Sequence, residues 1–281
     1  MVSTLDGLLR SGRPRVMGIL NVTPDSFSDG GRHLVVDDAV AAALRMESDG
    51  ADILDVGAVS TRPGAEPVSV ETERDRLLPV LEALGGRLEI PVSVDTDRAC
   101  VFAAALDRGA AILNDVTALR GDPEMASLAA SAGCPVVLMH MRGDPRTMQD
   151  APRYDDVVED LKAFFEERMA AFVGAGGDAS RCILDPGIGF GKTLEHNLAI
   201  LARIDELKAL GRPVLLGCSR KSFLGRILDR SEPLGREYAT AATTARAFHD
   251  GVDMVRVHDV RAAVDVIEVL AAIRDARRKG D

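Results

Sequence analysis

The chain alternates short, largely apolar runs with longer segments whose apolar residues recur at helical spacing. Eight runs carry the first pattern, at residues 16–20, 53–56, 91–94, 111–113, 135–139, 182–184, 213–216 and 254–257. Runs this short and this continuously apolar predict strands covered on both faces, and helices between them make the sheet parallel. In the helical segments, Ala39, Val40, Ala43, Leu44 and Met46 share one broad face over residues 37–47. Asp156 and Glu159 stand at capping-box spacing ahead of Leu161, Phe164, Phe165 and Met169. Val260, Ala263, Val264, Ile267, Leu270 and Ala271 repeat the pattern near the C-terminus, each helix pairing an apolar stripe with a charged face. Eight strand–helix units in 281 residues predict an α/β fold, a (β/α)8 TIM barrel with long loops at the C-terminal face of its strands. No Pro/Gly/Ser-rich linker divides it, so residues 1–281 read as one domain in which 1–14 form an N-terminal extension.

A barrel of this kind carries its active site where the strands end. The residues just past the eight runs are polar: Asn21; Gly57 with Ser60, Thr61 and Arg62; Asp95; Asn114 and Asp115; His140; Asp185; Ser219, Arg220 and Lys221; and His258. Three connections on that side, residues 21–34, 57–68 and 140–155, are longer than a link requires and read as binding loops.

Composition narrows the chemistry. A hydrophobic fraction of 46% fills a large core without disulfides or a structural metal. The formal charge of -10 argues against nucleic acid as the main partner, yet allows an anionic small molecule wherever basic residues cluster. Cys100, Cys134, Cys182 and Cys218 form no CxxC pair and sit in or beside apolar runs. They are expected to be buried free thiols in a reducing, cytoplasmic setting. The opening residues, with Asp6, Arg10, Arg13 and Arg15, lack the apolar stretch of a secretory leader, and no run of about 18 apolar residues predicts a membrane span.

The glycine-rich stretch Asp185-Pro-Gly-Ile-Gly-Phe-Gly-Lys192-Thr193 invites a nucleotide-loop reading, which fails on spacing. A P-loop needs glycine where Pro186 stands, and a dinucleotide fingerprint needs one where Lys192 stands. What remains is a carboxylate at a strand end followed by a flexible turn. Asp95, Asn114 and Asp185 end strands three, four and six, with Lys221 just beyond strand seven. They form either an inner polar layer that Lys221 neutralises or a pocket for an amide-rich heterocycle. In the pocket, carboxylates accept ring N–H and exocyclic amine hydrogens, the asparagine donates and accepts, and the lysine donates. Arg256 and His258 alternate on strand eight and can point to one side. With Thr61, Arg62 and Gly64 they offer donors to a phosphate-like anion. No HxxxH, HExxH or Cys/His cluster suggests zinc.

These residues carry a resemblance. Asn21-Val-Thr-Pro-Asp-Ser-Phe-Ser-Asp-Gly-Gly31 resembles the first signature of the dihydropteroate synthase family, and Ser60-Thr-Arg-Pro-Gly64 its second. Val94-Asp-Thr96, Asn114-Asp-Val116, Leu138-Met-His-Met141 with Pro145-Arg-Thr-Met148, Asp185-Pro-Gly-Ile-Gly-Phe190, Ser219-Arg-Lys-Ser-Phe223 and Arg256-Val-His-Asp259 follow in the family's order. The resemblance implies a homodimeric pterin-binding barrel, a sulfonamide target, that joins 6-hydroxymethyl-7,8-dihydropterin diphosphate to 4-aminobenzoate in folate biosynthesis. It implies that Asp95, Asn114, Asp185 and Lys221 hold the pterin, with Met139, Phe190 and Gly217 lining the slot. Asn21 would help bind Mg²⁺ at the diphosphate, whose oxygens fall to Thr61, Arg62, Arg256 and His258. Phe27, Pro63, Lys221 and Ser222 would flank the 4-aminobenzoate. Lys221, Arg256, His258, Asp95 and Asp185 are the implied catalytic set, and Asp25 or Asp29 would face a developing cation. One stretch departs: where the family usually reads Asp-Val-Gly-Gly-Glu-Ser, this chain has Asp55-Val-Gly-Ala58-Val59-Ser60. Two other functions suit a similar pocket, a pterin-binding paralogue with little catalysis and a methyltransferase domain passing a methyl group from a reduced folate to a corrinoid.

Overall fold

The eight predicted runs are strands of one parallel sheet in the computed structural model, which describes residues 7, 12–23, 32–59, 68–143 and 147–280. The strands are β1 (Arg15–Asn21), β2 (Ile53–Gly57), β3 (Val92–Asp95), β4 (Ala110–Asp115), β5 (Val136–Met139), β6 (Cys182–Asp185), β7 (Leu215–Leu216) and β8 (Met254–Val257). The helices are α1 (Arg32–Ser48), α2 (Val70–Leu84), α3 (Ala99–Leu106), α4 (Met125–Ala132), α5 (Val157–Gly174), α6 (Leu194–Ala202), α7 (Ile204–Lys208), α8 (Ser222–Leu228), α9 (Glu237–His249) and α10 (Val260–Gly280). The strand order is β6-β5-β4-β3-β2-β1-β8-β7, and a bridge from Leu184 to Val214 joins β6 to the approach of β7, closing the barrel.

Local chemistry sets the helix starts. Ser69 accepts the N–H of Thr72 at the head of α2, and Asp156 accepts those of Val158 and Glu159 at the head of α5. The spacing of Asp156 and Glu159 predicts a reciprocal capping box, but the side chain of Glu159 pairs with Lys162 at 2.8 Å instead. A full box forms at α6, between Thr193 and His196. Three of the four cysteines are buried as expected, and Cys100 is not. On α3 the inward positions are Ala99, Val101, Phe102 and Ala105, which leaves Cys100 on the outer side.

The lumen is organised in storeys. Met17, Ile53, Ile112, Val137, Ile183, Leu215 and Met254, one from each of seven strands, form a fully buried apolar cluster. Burial of each such side chain contributes roughly 1.5–3 kcal/mol. Side chains two residues apart on a strand share a face. The next storey is therefore Ile19, Asp55, Asn114, Met139, Asp185, Gly217 and Arg256, with Asp95 two beyond the buried Ser93 on β3. The same step from hydrocarbon to polar groups occurs on β2, β4, β6 and β8.

Candidate active site

The polar storey is bound together across the barrel. Arg256 sends Nε to Asp55 Oδ2 at 2.6 Å and Nη2 to Asp95 Oδ2 at 3.0 Å. Asn114 Nδ2 donates to the same Asp55 oxygen at 3.1 Å. Burial pushes the Asp95 carboxyl up to about 7 against the pull of Arg256. Burial alone would pull Arg256 down, but Asp55 and Asp95 outweigh it and hold its proton more tightly than usual. The register explains the meeting: Asp95 pairs with Gly57 on one side and Asn114 on the other. A Cβ at position 57 would stand 3.3 Å from the Asp95 side chain, so glycine leaves that carboxylate its room.

Asp185 is fixed by its own turn. Its Oδ1 accepts the N–H of Gly187 at 2.7 Å, and its carbonyl accepts the N–H of His140. Gly187 has φ +63°, and a Cβ there would overlap the His140 carbonyl oxygen, so this turn requires glycine. Burial raises Asp185, and the Gly187 bond and the charge of Lys221 oppose the rise. Lys221 is lowered to about 8 by burial, with Asp185 as the largest opposing influence. Its ammonium lies 3.9 Å from the centre of the Phe190 ring. Phe190 packs on a cluster of Val116, Met139, Met141 and Met148, an apolar wall beside the polar groups.

The turn after β6 is zipped to the loop after β5. Gln149 donates to Gly189 O at 2.6 Å, and Tyr154 donates to Gly191 O at 2.8 Å. The buried Lys192 lies 2.9 Å from His140 Nδ1 and donates to Phe190 O at 3.0 Å. Burial, with Lys192 beside it, drives His140 down to about 2, so the ring is neutral.

On the far side of the rim, Ser219 and Lys221 flank Arg220, a non-glycine residue at φ 58°. The Arg220 N–H goes to Thr240 Oγ1 at 3.1 Å, and its carbonyl accepts from Arg236 at 2.9 Å. Ser219 Oγ lies 2.9 Å from His258 Nδ1. Asn21 ends β1, half-buried and in register with Gly57. Gly217 faces open space, and Ser222 begins α8.

Asp95, Asn114, Asp185, Lys221 and Arg256 thus form one electrostatic cluster, with Met139, Phe190 and Gly217 along it and Asn21, Ser222 and His258 at its rim. Thr61, Arg62, Pro63, Phe27, Asp25 and Asp29 lie outside the described residues. Both described stems of the second loop are held by arginines. Arg76 donates to Ala58 O at 3.1 Å, and Arg98 donates to Val68 O while pairing with the buried Glu73 at 2.9 Å. Sequence reasoning missed Asp55, which is fully buried yet bonded to both Arg256 and Asn114. Its signal was available: a lone carboxylate inside a buried run, two residues beyond Ile53. It also missed Lys192, weighed only as a nucleotide-loop lysine, and Ser219 as a partner of His258.

Known proteins resemble this chain over most of its length. The family model for pterin binding enzymes matches residues 17–258. Dihydropteroate synthase of Escherichia coli is 47% identical over 264 residues, covering 94% of this chain and 93% of that protein. The Synechocystis enzyme is 46% identical over 261 residues, covering 93% of this chain and 90% of that one. Among solved structures, Xanthomonas albilineans dihydropteroate synthase in complex with 7,8-dihydropteroate aligns with a TM-score of 0.84 at 45% identity, over 93% of this chain and 94% of that one. The Yersinia pestis enzyme in a sulfonamide drug complex aligns with a TM-score of 0.88 at 45% identity, over 94% and 95% of the two chains. The chain belongs to the pterin-binding enzymes and, within them, to the dihydropteroate synthases.

Proposed function

We propose that this chain condenses 6-hydroxymethyl-7,8-dihydropterin diphosphate with 4-aminobenzoate, giving 7,8-dihydropteroate and pyrophosphate in folate biosynthesis. The observation that carries the reading is the polar storey, where Asp95, Asn114, Asp185 and Lys221 meet beside the Met139–Phe190 wall. Carboxylates held by their own bonds accept the hydrogens of a flat, amide-rich ring, Asn114 adds a mixed donor and acceptor, and Lys221 donates.

In this reading the C–O bond to the diphosphate breaks ahead of amine attack. The electron-rich pterin stabilises the cation left on its exocyclic methylene. The chain's tasks are to orient the ring, stabilise the departing anion and keep water out. Asp185 and Asp95 orient the ring as acceptors. Arg256 fixes Asp95 by bridging it to Asp55, and its positive charge favours the anion. His258, with Thr61 and Arg62, donates to the phosphate oxygens. Lys221 and Ser222, with Phe27 and Pro63, border the arylamine.

Asn21 suits Mg²⁺. A half-buried amide at a strand end supplies one neutral oxygen, and Mg²⁺ keeps several waters and takes further ligands from substrate phosphates. When bound there, the ion would offset charge developing on the leaving group. A cytoplasmic homodimer completes the proposal, supported by four free thiols and by the exposed Val269 and Ile273 on α10. Incubating the protein with both substrates, with and without Mg²⁺, and measuring pyrophosphate tests the reaction. Pterin binding without any pyrophosphate would leave a binding protein instead.

A further inference from the structure

Ser219 and His258 meet through three atoms. Ser219 Oγ lies 2.9 Å from His258 Nδ1 and accepts the backbone N–H of the same histidine at 3.2 Å. Ser219 is buried, 7% exposed. A buried hydroxyl hydrogen needs an acceptor. Nδ1 is the acceptor within reach, and the backbone N–H already uses the oxygen as its own acceptor. If the ring carried its proton on Nδ1, the oxygen would accept both N–H groups and the hydroxyl hydrogen would lose this acceptor. A hydroxyl that donates to Nδ1 leaves the ring proton on Nε2.

The turn that carries Ser219 is built to hold it there. Arg220 occupies the left-handed region at φ 58°, a conformation that strains a non-glycine residue. Thr240 Oγ1 binds its N–H, and Arg236, buried and also donating to Arg230 O, binds its carbonyl. The strained residue lets its two neighbours serve the same rim, Ser219 toward His258 and Lys221 over Phe190.

We propose that Ser219 is a positioning residue whose hydroxyl donates to His258 Nδ1 and so fixes the ring as a neutral Nε2–H donor toward a phosphate-class leaving group. The inference rests on the reading that His258 serves the departing diphosphate. A ring free to exchange tautomers presents a lone pair to that anion part of the time, which repels where a donor should attract. Fixing the tautomer removes that fraction and leaves the donor aimed before the bond breaks.

The direct test is nuclear magnetic resonance of the full chain with ¹⁵N-labelled histidine. The sequence has five histidines, and His258→Gln identifies the resonance of interest. At neutral pH the unmodified protein should show His258 protonated on Nε2. Ser219→Ala should give a mixed or Nδ1-protonated ring, and Ser219→Thr, which keeps a hydroxyl, should restore the original signal. Ser219→Ala should lower kcat about tenfold, as for one misdirected donor. The affinity for the diphosphate-free pterin alcohol should stay within about twofold, because that ligand lacks the group His258 faces. A ring carrying a proton on Nδ1 in the unmodified protein, as the other tautomer or as imidazolium, overturns the proposal even if Ser219→Ala fails to fold. So does a Ser219→Ala protein with the Nε2 tautomer or kcat unchanged. If the tautomer obeys Ser219 but no pyrophosphate is ever made, the positioning inference stands and the condensation reading falls.

Discussion

The two storeys of the barrel lumen are made by the same strands, one step of the pleat apart. The lower is hydrocarbon: Met17, Ile53, Ile112, Val137, Ile183, Leu215 and Met254. The upper places Asp55, Asn114, Asp185 and Arg256 directly above four of these. Below, a side chain needs only the right volume, and its contribution is the area it hides from water. Above, each group is determined by its partner, because a buried carboxylate without a donor or cation destabilises the fold. The lower storey thus supports the fold, while the upper draws on that stability to keep charges preorganised for a ligand.

The largest effect should come from removing the cation that ties the upper storey. Arg256→Ala leaves Asp55 and Asp95 facing each other in a buried site, a loss of about 3–5 kcal/mol. Ile112→Ala below should cost a comparable amount, about 2–5 kcal/mol, through a cavity. Acid separates the two. Without Arg256, Asp95 gains proton affinity beyond its already raised value, so its folded pKa lies above the unfolded one. Stability linked to such a group is present at low pH and lost as pH rises through the folded pKa. The Arg256→Ala deficit should therefore shrink on acidification from pH about 8 to about 5.5, while the Ile112→Ala deficit holds steady. Urea unfolding at both pH values checks this, and equal pH dependence would erase the distinction between the storeys.

Next in size is a change confined to recognition. Asp185→Asn keeps the shape but exchanges an acceptor for a donor, so pterin affinity should fall by roughly 2–4 kcal/mol. Thermal stability should be kept or rise, because burial already opposes the charge of Asp185. Calorimetry with unchanged pterin affinity would remove Asp185 from the pocket.

The upper storey should also confine activity to a narrow pH range. Asp95, at about 7, must be ionised to accept, so kcat/KM falls as pH drops below that value. Lys221, at about 8, must be charged to donate, so kcat/KM falls as pH rises above that value. The profile of the free enzyme should be a bell between those limbs. A profile flat from pH about 6 to about 9 would mean that neither group needs its stated charge.

The difference between the storeys also explains what the sequence revealed. The barrel was legible because each of the eight strands is built on a short, largely apolar run and a helical segment separates each run from the next. The rim was legible wherever a polar residue ended a run, as Asp95, Asn114 and Asp185 do. Asp55 escaped because it stands inside a run, where periodicity registers only burial and register decides which partners meet it. Lys192 and Ser219 escaped for a related reason. Each acts on a residue distant in sequence, His140 or His258, and the turns that join them depend on glycines and on a left-handed arginine. The Asp156–Glu159 spacing misled in the opposite direction, because Lys162, one turn along, outbids the backbone for Glu159.

The smallest expected effect lies above both storeys, at the departure from the family pattern. A methyl group at position 58 would strain the chain if the backbone there were left-handed. The described non-glycine residues with positive φ are Ala118, Leu119, Ala151, Arg220 and Asp229, and Ala58 is not among them. Ala58 is fully buried in the apolar cluster between the sheet and α2, and its carbonyl accepts from Arg76 at 3.1 Å. The stem of the loop is thus held by packing and by an arginine on α2, neither of which involves the pterin groups. Ala58→Gly should cost about 0.5–1 kcal/mol of stability through backbone entropy and a lost buried methyl group. The double change with Val59→Glu should leave pterin affinity within about 1 kcal/mol, since the altered side chains share no partner with Asp95, Asn114 or Asp185. Any functional change should appear in turnover or in 4-aminobenzoate affinity, where Thr61, Arg62 and Pro63 follow in the chain. Paired calorimetry for the pterin alcohol and for 4-aminobenzoate separates these terms. A gain in pterin affinity well beyond that limit would show that position 58 reaches down into the polar storey after all.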